Sequence, residues 1–223
     1  MLKAILLDVD NTLLDFDLGS KQAIKEAFAE TKLEYTENVY ETFTLINNGL
    51  WHDIEKGLLT REGLYKIRWP RIFEALGIAA DGVAFEQLFL SHLRESAIPV
   101  EGAIELVEYL YGKYTLCIAS NAAYNQQILR LKKAGLYGYM KHIFISEKIG
   151  APKPTKAFFK HCINALQPIK AEEVMIIGDS LTADIEGAAE FGIQSCLFNR
   201  KGISIESPAT YKVTKLSEIK GFL

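Results

Sequence analysis

Short apolar runs of strand length recur along the chain, and they restrict its possible folds more than any other feature. Each run is largely apolar on both faces, which is typical of strands in a parallel sheet that helices cover on both sides. Amphipathic stretches separate the last four runs, so the order of elements predicts an α/β fold with a doubly wound parallel sheet and right-handed crossovers. The apolar runs are residues 4–7, 115–119, 142–145, 174–177 and 195–198, and the amphipathic stretches are residues 121–134, 154–165 and 182–191.

Residues 16–98 interrupt this alternation, because they contain helical periods of apolar residues and no buried strand. Thr60 and Asp81 are predicted helix N-caps, and Gly77 is a predicted helix stop. The pattern therefore predicts a helical domain of residues 16–98, inserted after the first strand of an α/β core of residues 1–15 and 99–223. A single mixed α/β domain is the alternative.

Composition and charge make some classes of partner unfavourable. The chain has 223 residues, of which 49% are hydrophobic, so it is long enough to bury its own core. The net charge of −3 argues against a nucleic acid polymer or an anionic membrane as the main partner. No apolar run reaches membrane-spanning length, and the N-terminus leads directly into a strand, so we expect neither a membrane segment nor a signal peptide.

The cysteines indicate a reducing compartment. Cys117, Cys162 and Cys196 are far apart and odd in number, which fits neither a zinc site nor a disulfide framework. Unpaired cysteines within apolar segments are typical of a cytoplasmic protein, which is the expected location. The sequence leaves the oligomeric state open between a monomer and a homodimer.

Polar side chains follow four of the predicted strands. In an open α/β sheet, ligands bind beyond the carboxyl ends of the strands, so we expect these side chains to converge on one site. In chain order they are Asp8, Asp10 and Thr12, then Ser120 and Asn121, then Lys153, and finally Asp179 and Asp184.

This set of side chains suits a phosphate ester. Carboxylates are hard ligands for Mg²⁺, and carboxylates crowded together repel one another unless a cation lies among them. A lysine and a hydroxyl can hold phosphate oxygens, and a carboxylate can attack phosphorus to give an aspartyl-phosphate. Each piece alone has a simpler interpretation: a turn, a helix N-cap or a solvated loop lysine. Their order and their common place at strand ends favour a site.

The residues also carry a family resemblance. Asp8-x-Asp10-x-Thr12, Ser120, Lys153 and Gly178-Asp179-x₄-Asp184 resemble the four motifs of the haloacid dehalogenase (HAD) superfamily of phosphohydrolases. The match spans nearly the whole chain, and the helical insertion resembles the first-type cap of that superfamily. Leu7 stands where phenylalanine is more usual, but this is a core position.

The resemblance implies catalytic and phosphate-binding roles for six residues. Asp8 would be the nucleophile, and Asp10 would be the general acid/base. Ser120 and Lys153 would hold the phosphoryl group, with Thr12 and Asn121 as further phosphate-binding residues.

The resemblance also implies Mg²⁺ as the cofactor. The metal would be bound by the Asp8 carboxylate, the Asp10 backbone carbonyl and Asp179. Asp184 would support the metal's waters or Lys153, and direct contact between Asp184 and the metal is left open.

Segments of the insertion resemble the cap of noncanonical 5′-nucleotidases within the superfamily. The resemblance implies dephosphorylation of nucleoside monophosphates, with a preference for pyrimidines. Trp51 or Trp69 would stack on a base if one of them faces the cleft, and Arg68 would help to select the substrate. The alternatives are a core role for Trp51 and Trp69 and a solvated surface position for Arg68. The segments are residues 14–17, 48–51, 55–61 and 68–69, together with residues 178–185 and 196–199 of the core.

Other functions remain open from the sequence. A HAD phosphatase or mutase for a small sugar phosphate would share the same core. A 2-haloacid dehalogenase is disfavoured, because it needs neither a metal nor a second acid such as Asp10. A non-catalytic binding module would typically have lost Asp8 or Asp10.

Overall fold

The computed structural model describes residues 1–223. Six parallel strands form one sheet in the order β3-β2-β1-β4-β5-β6, so the predicted doubly wound parallel sheet is confirmed. The chain builds one half of the sheet from β1 to β3 and then crosses to the other side of β1 with β4. The strands are β1 (Ala4–Leu7), β2 (Thr115–Ser120), β3 (His142–Ile145), β4 (Val174–Gly178), β5 (Gln194–Phe198) and β6 (Tyr211–Val213).

The chain divides into two compact units, Met1–Phe16 with Ala97–Leu223 and Asp17–Ser96. Four helices form the smaller unit around a buried aromatic cluster. Thr60 and Asp81 are confirmed as N-caps, because their side chains accept hydrogen bonds from backbone N–H groups of the first turn. Gly77 ends its helix at φ 66°, a conformation that favours glycine. The helices are α1 (Phe16–Thr31), α2 (Glu37–Glu55), α3 (Arg61–Leu76) and α4 (Gly82–Leu93), and the aromatic cluster contains Phe28, Phe43, Trp69, Phe73, Phe85 and Phe89.

Helices cover both faces of the sheet in the larger unit. Ile5 and Leu7 pack on one face with α5 and α6, and Ala4 and Leu6 pack on the other face with α8 and α9. The central strand is therefore buried on both sides, which explains its continuous apolar run. The helices are α5 (Ala103–Leu110), α6 (Tyr124–Lys133), α7 (Ser146–Ile149), α8 (Lys156–Ala165) and α9 (Gly187–Glu190).

Two elements differ from the sequence prediction. The predicted helix at residues 182–191 is a π-helix over Leu181–Glu186 followed by the single turn α9. The edge strand β6 was not predicted, because it has only three residues and is partly exposed. All three cysteines are buried free thiols. None of the helices has both the length and the apolar character needed to cross a membrane.

Candidate active site

The carboxyl ends of three adjacent strands carry the candidate site. Asp8 follows β1, Ser120 ends β2, and Asp179 follows β4. The Asp8 N–H still donates to the carbonyl of Ile177 at 3.0 Å, so the backbone of Asp8 is held by the neighbouring strand. A residue fixed in this way keeps a defined position, which suits a group that must meet a reacting atom.

A tight turn follows Asp8. The carbonyl of Val9 accepts hydrogen bonds from Leu13 and Leu14, at 2.9 and 2.8 Å. Asn11 lies in the turn at φ 61°, in the left-handed region that asparagine tolerates better than most residues. The turn therefore places Asp10 beside the end of the strand instead of extending away from the sheet.

Lys153 is buried and lies between two carboxylates. Its Nζ donates to Asp8 Oδ1 at 2.7 Å, to Asp184 Oδ1 at 2.6 Å and to the carbonyl of Ala119 at 2.7 Å. Burial lowers the pKa of Lys153, but the charges of Asp184 and Asp8 outweigh burial and raise it above the ordinary value. The side chain is therefore a fixed cation at the centre of the site.

Asn121 fixes the loop that carries Lys153. Its side chain donates to the Lys153 carbonyl at 2.9 Å and accepts from the Lys153 N–H at 2.8 Å. Both ends of the amide are thus used on the backbone of this loop. The side chain of Asn121 therefore positions Lys153, and phosphate binding by Asn121 stays a prediction.

Asp184 lies in the first turns of the π-helix and is fully buried. One of its oxygens accepts from Lys153, and the other accepts from the Ser180 N–H at 3.2 Å. Gly178 allows this arrangement, since a Cβ at that position would collide with the Asp184 carboxylate. These contacts give Asp184 a supporting role toward Lys153.

Three carboxylates meet around Lys153. One oxygen from each of Asp8, Asp179 and Asp184 lies within 4.8 Å of the others. Burial, with added repulsion from Asp184 and Asp10, raises the pKa of Asp8 to about 7 although Lys153 opposes the shift. Burial and the charges of Asp8 and Asp184 also raise the pKa of Asp179 well above its usual value.

These residues fit a magnesium ion. The cluster offers hard oxygen donors close together, and burial raises the pKa values of Asp8 and Asp179, so a cation among them would favour their charged forms. Asp8 uses only one oxygen on Lys153, whereas both oxygens of Asp184 already accept hydrogen bonds. Asp8 and Asp179 are therefore better candidates for direct metal ligands than Asp184.

Asp10 is held by two residues that the sequence analysis missed. Gln127 Nε2 donates to Asp10 Oδ2 at 2.7 Å, and Arg130 Nη1 donates to Asp10 Oδ1. Both residues lie on α6 and are fully buried. The sequence did carry one signal for them. Gln127 and Arg130 are three positions apart on a predicted helix, and Arg130 is next to the apolar Leu131, so these polar side chains lie near the face that points to the core.

Ser120 and Thr12 present buried hydroxyls. Ser120 Oγ accepts from Gln127 Nε2 at 3.0 Å and from the Ala122 N–H at 3.2 Å. Thr12 is fully buried, and its Oγ1 has no hydrogen-bond partner in the structure. Burial of an unpaired hydroxyl is costly, and phosphate binding by Thr12 stays a prediction.

Arg68 and Trp51 lie in the helical unit. Arg68 is buried, and its guanidinium is bonded to Glu86 and Asn47. The prediction that Arg68 selects substrate, like its alternative of a solvated position, is therefore corrected: its charge is used to join α3 to α4 and α2. Trp51 is half-buried and packs against an apolar cluster of Leu50, Ile54 and Leu64.

A comparison with protein families shows which family the chain belongs to. The model of the haloacid dehalogenase-like hydrolases matches residues 2–192. The chain belongs to this family. The resemblance drawn from the four HAD motifs is confirmed, and the protein is a hydrolase by family.

Several curated relatives match the chain over nearly its whole length. HAD-hydrolase YfnB of Bacillus subtilis (strain 168) is 34% identical over 97% of this chain and 93% of its own. Pyrimidine 5′-nucleotidase PynA of Streptococcus pneumoniae is 30% identical, with the same two coverages. Pyrimidine 5′-nucleotidase YjjG of Escherichia coli (strain K12) is 26% identical over 98% of this chain and 96% of its own.

A solved HAD structure has the same fold throughout. The crystal structure of YfnB bound to magnesium matches with a TM-score of 0.93 at 33% identity. The match covers 99% of this chain and 97% of the YfnB chain. The similarity therefore extends to both compact units.

Proposed function

We propose that the protein is a Mg²⁺-dependent phosphatase that forms an aspartyl-phosphate on Asp8, with pyrimidine nucleoside 5′-monophosphates as substrates. The observation that carries the proposal is the contact of Lys153 with both Asp8 and Asp184 at the carboxyl ends of the central strands. It puts a potential nucleophile, a fixed cation and further acids within one small site.

Asp8 is the proposed nucleophile. Its backbone is held by β4 and its carboxylate by Lys153, so the carboxylate has a defined position from which one oxygen can attack phosphorus. Attack forms the bond between Asp8 and phosphorus and breaks the ester bond, releasing the alkoxide of the nucleoside. The positive charge of Lys153 lies beside Asp8 and would stabilise the negative charge of the transition state.

Asp10 is the proposed general acid/base. It donates a proton to the departing oxygen and then takes one from the water that hydrolyses the aspartyl-phosphate, which regenerates Asp8. Its side chain is 30% exposed, whereas that of Asp8 is 10% exposed, so Asp10 is the more open of the two acids.

Magnesium and the phosphate-binding hydroxyls complete the proposed site. Asp8, the Asp10 backbone carbonyl and Asp179 would hold Mg²⁺, which would neutralise charge that develops on the phosphoryl oxygens. The hydroxyls of Ser120 and Thr12 would donate hydrogen bonds to the phosphoryl group, and Asn121 would keep Lys153 in place.

The choice of pyrimidine nucleotides rests on two relatives. PynA and YjjG are named as pyrimidine 5′-nucleotidases and match almost all of this chain. The residues of the larger unit would recognise the phosphate, so we propose that residues 16–98 act as a cap that selects the leaving group, with Trp51 as a residue that contributes.

A substrate panel tests this function. With Mg²⁺ present, uridine monophosphate should give a higher kcat/KM than adenosine monophosphate or glucose 6-phosphate, and a chelator should abolish turnover of all three. Trp51→Ala should change this ranking while sparing hydrolysis of a small aryl phosphate. A clear lead for glucose 6-phosphate would contradict the nucleotidase assignment, and full activity with chelator would contradict the phosphatase mechanism.

A further inference from the structure

Hydrogen bonds from helix α6 hold both oxygens of the Asp10 carboxylate. Gln127 Nε2 donates to Oδ2 at 2.7 Å, and Arg130 Nη1 donates to Oδ1. Arg130 Nη1 also donates to Gln127 Oε1 at 3.0 Å, so the two donors are joined to each other. Because a different residue holds each oxygen, the contacts fix the plane of the carboxylate as well as its position.

The donor side chains are buried, whereas the carboxylate that they hold is partly exposed. The side chain of Arg130 is 0% exposed, whereas that of Asp10 is 30% exposed. A buried guanidinium needs a partner of opposite charge, and Asp10 supplies it. A carboxylate oxygen can accept more than one hydrogen bond, so Asp10 keeps capacity for contacts on its exposed side.

The same helix is tied to the end of β2. Gln127 Nε2 donates to Ser120 Oγ at 3.0 Å, in addition to its bond with Asp10. Gln127 and Arg130 are three residues apart on α6, so they share one helix face. This face therefore links the acid that follows β1 to the hydroxyl that ends β2.

We propose that Gln127 and Arg130 are positioning residues that orient Asp10 toward the leaving oxygen of the substrate. The inference rests on the proposed phosphatase function, in which Asp10 transfers the proton. Neither residue contacts the substrate in this account: Arg130 acts through Asp10, and Gln127 acts through Asp10 and also bonds Ser120.

The test compares substrates that differ in their need for a proton. The variants Arg130→Met, Arg130→Lys and Gln127→Leu are assayed on uridine monophosphate and on 4-nitrophenyl phosphate. A misplaced acid should lower kcat/KM on the nucleotide by about 100-fold and lower it less on the aryl ester, whose leaving group needs less help; kcat/KM is compared because it reports formation of the aspartyl-phosphate, whereas hydrolysis of this intermediate is common to both substrates. Arg130→Lys should recover part of the loss. Equal losses of kcat/KM on both substrates would overturn the proposal.

A double variant separates positioning from a general structural effect. In the Asp10→Asn background, Arg130→Met should cause no further loss of kcat/KM on the nucleotide, since its effect passes through the Asp10 carboxylate. A full multiplicative loss would overturn the proposal. Lys132→Met is the matched control, because it removes a positive charge from an exposed position of the same helix and should leave kcat/KM unchanged.

Two further measurements keep the outcomes distinct. If thermal melting shows that Arg130→Met does not fold, Gln127→Leu decides the proposal by the same substrate comparison. A wild-type protein that hydrolyses neither ester would contradict the proposed function itself. An active wild type whose Gln127 and Arg130 variants keep normal kcat/KM on the nucleotide would overturn only the positioning role.

Discussion

At the scale of single residues, the proposed chemistry depends on the environment of Asp8. Its carboxylate is close to Lys153, which favours the charged form, yet burial raises its pKa to about 7. A group in this state is protonated at low pH and readily exchanges its proton for a cation. In the proposed function, a bound Mg²⁺ would favour the charged form of Asp8 near neutral pH.

Magnesium affinity should consequently depend on pH. Below pH 7 the ion must displace a proton from Asp8, so affinity should fall by about tenfold per pH unit for each proton displaced and should level off above the pKa. Calorimetric titration in buffers of different protonation enthalpy measures both the affinity and the protons released. Asp8→Asn, which cannot titrate, should show a shallower dependence. Constant affinity from about pH 6 to about pH 8 would contradict this prediction.

Sequence alone could predict the residues that follow strands but not those that approach from helices. Asp8 could be predicted because a polar residue directly after an apolar run is conspicuous, and Lys153 because it lies in the loop that follows another such run. Gln127 and Arg130 were missed because a helix with a basic C-terminal end commonly has a solvated polar face. Arg68 was misassigned for the opposite reason, since its burial with Glu86 depends on the packing of two helices.

At the scale of elements, the strands were predictable and the irregular helix was not. Five apolar runs correspond to β1 to β5 because parallel strands are buried on both faces. The segment Leu181–Glu186 was predicted as an ordinary helix but is a π-helix, in which the buried Asp184 contacts Lys153 and lies against Gly178. Such a constraint comes from contacts between distant residues.

The ion pair between α3 and α4 gives an element-scale prediction. Arg68 is 2% exposed and Glu86 is fully buried, and burial raises the pKa of Glu86 despite the arginine. Arg68→Met should lower the free energy of unfolding by about 3–5 kcal/mol, because it leaves a buried acid without its partner. Chemical denaturation measures the loss.

Two variants control this measurement. Arg71→Met on the exposed side of α3 should have little effect on unfolding, and Glu86→Leu added to Arg68→Met should restore much of the loss. The ranking of substrates should not change in the folded Arg68→Met protein. Wild-type stability combined with an altered ranking would return Arg68 to the role of a selecting residue.

At the scale of the whole molecule, the two chain segments that connect the units lie side by side in the larger unit. The Asp15 N–H donates to the carbonyl of Ile98 at 2.8 Å, and Leu14 pairs with Pro99. Arg200 binds the Asp15 carboxylate at 2.6 Å, which holds this junction to the loop after β5. The helical insertion thus leaves and rejoins the sheet at one place, a few residues from Asp8 and Asp10.

The most direct test of the account is detection of a phosphoryl group on Asp8 during turnover. The protein is mixed with Mg²⁺ and 4-nitrophenyl phosphate, quenched in acid within one turnover and digested for mass spectrometry. Asp10→Asn should slow hydrolysis of the aspartyl-phosphate more than its formation from this substrate, so it should accumulate the modified protein. We expect the added mass of one phosphoryl group on the peptide that contains Asp8, and none in Asp8→Asn. Turnover with an unmodified Asp8, or a phosphoryl group on another residue, would contradict the central claim.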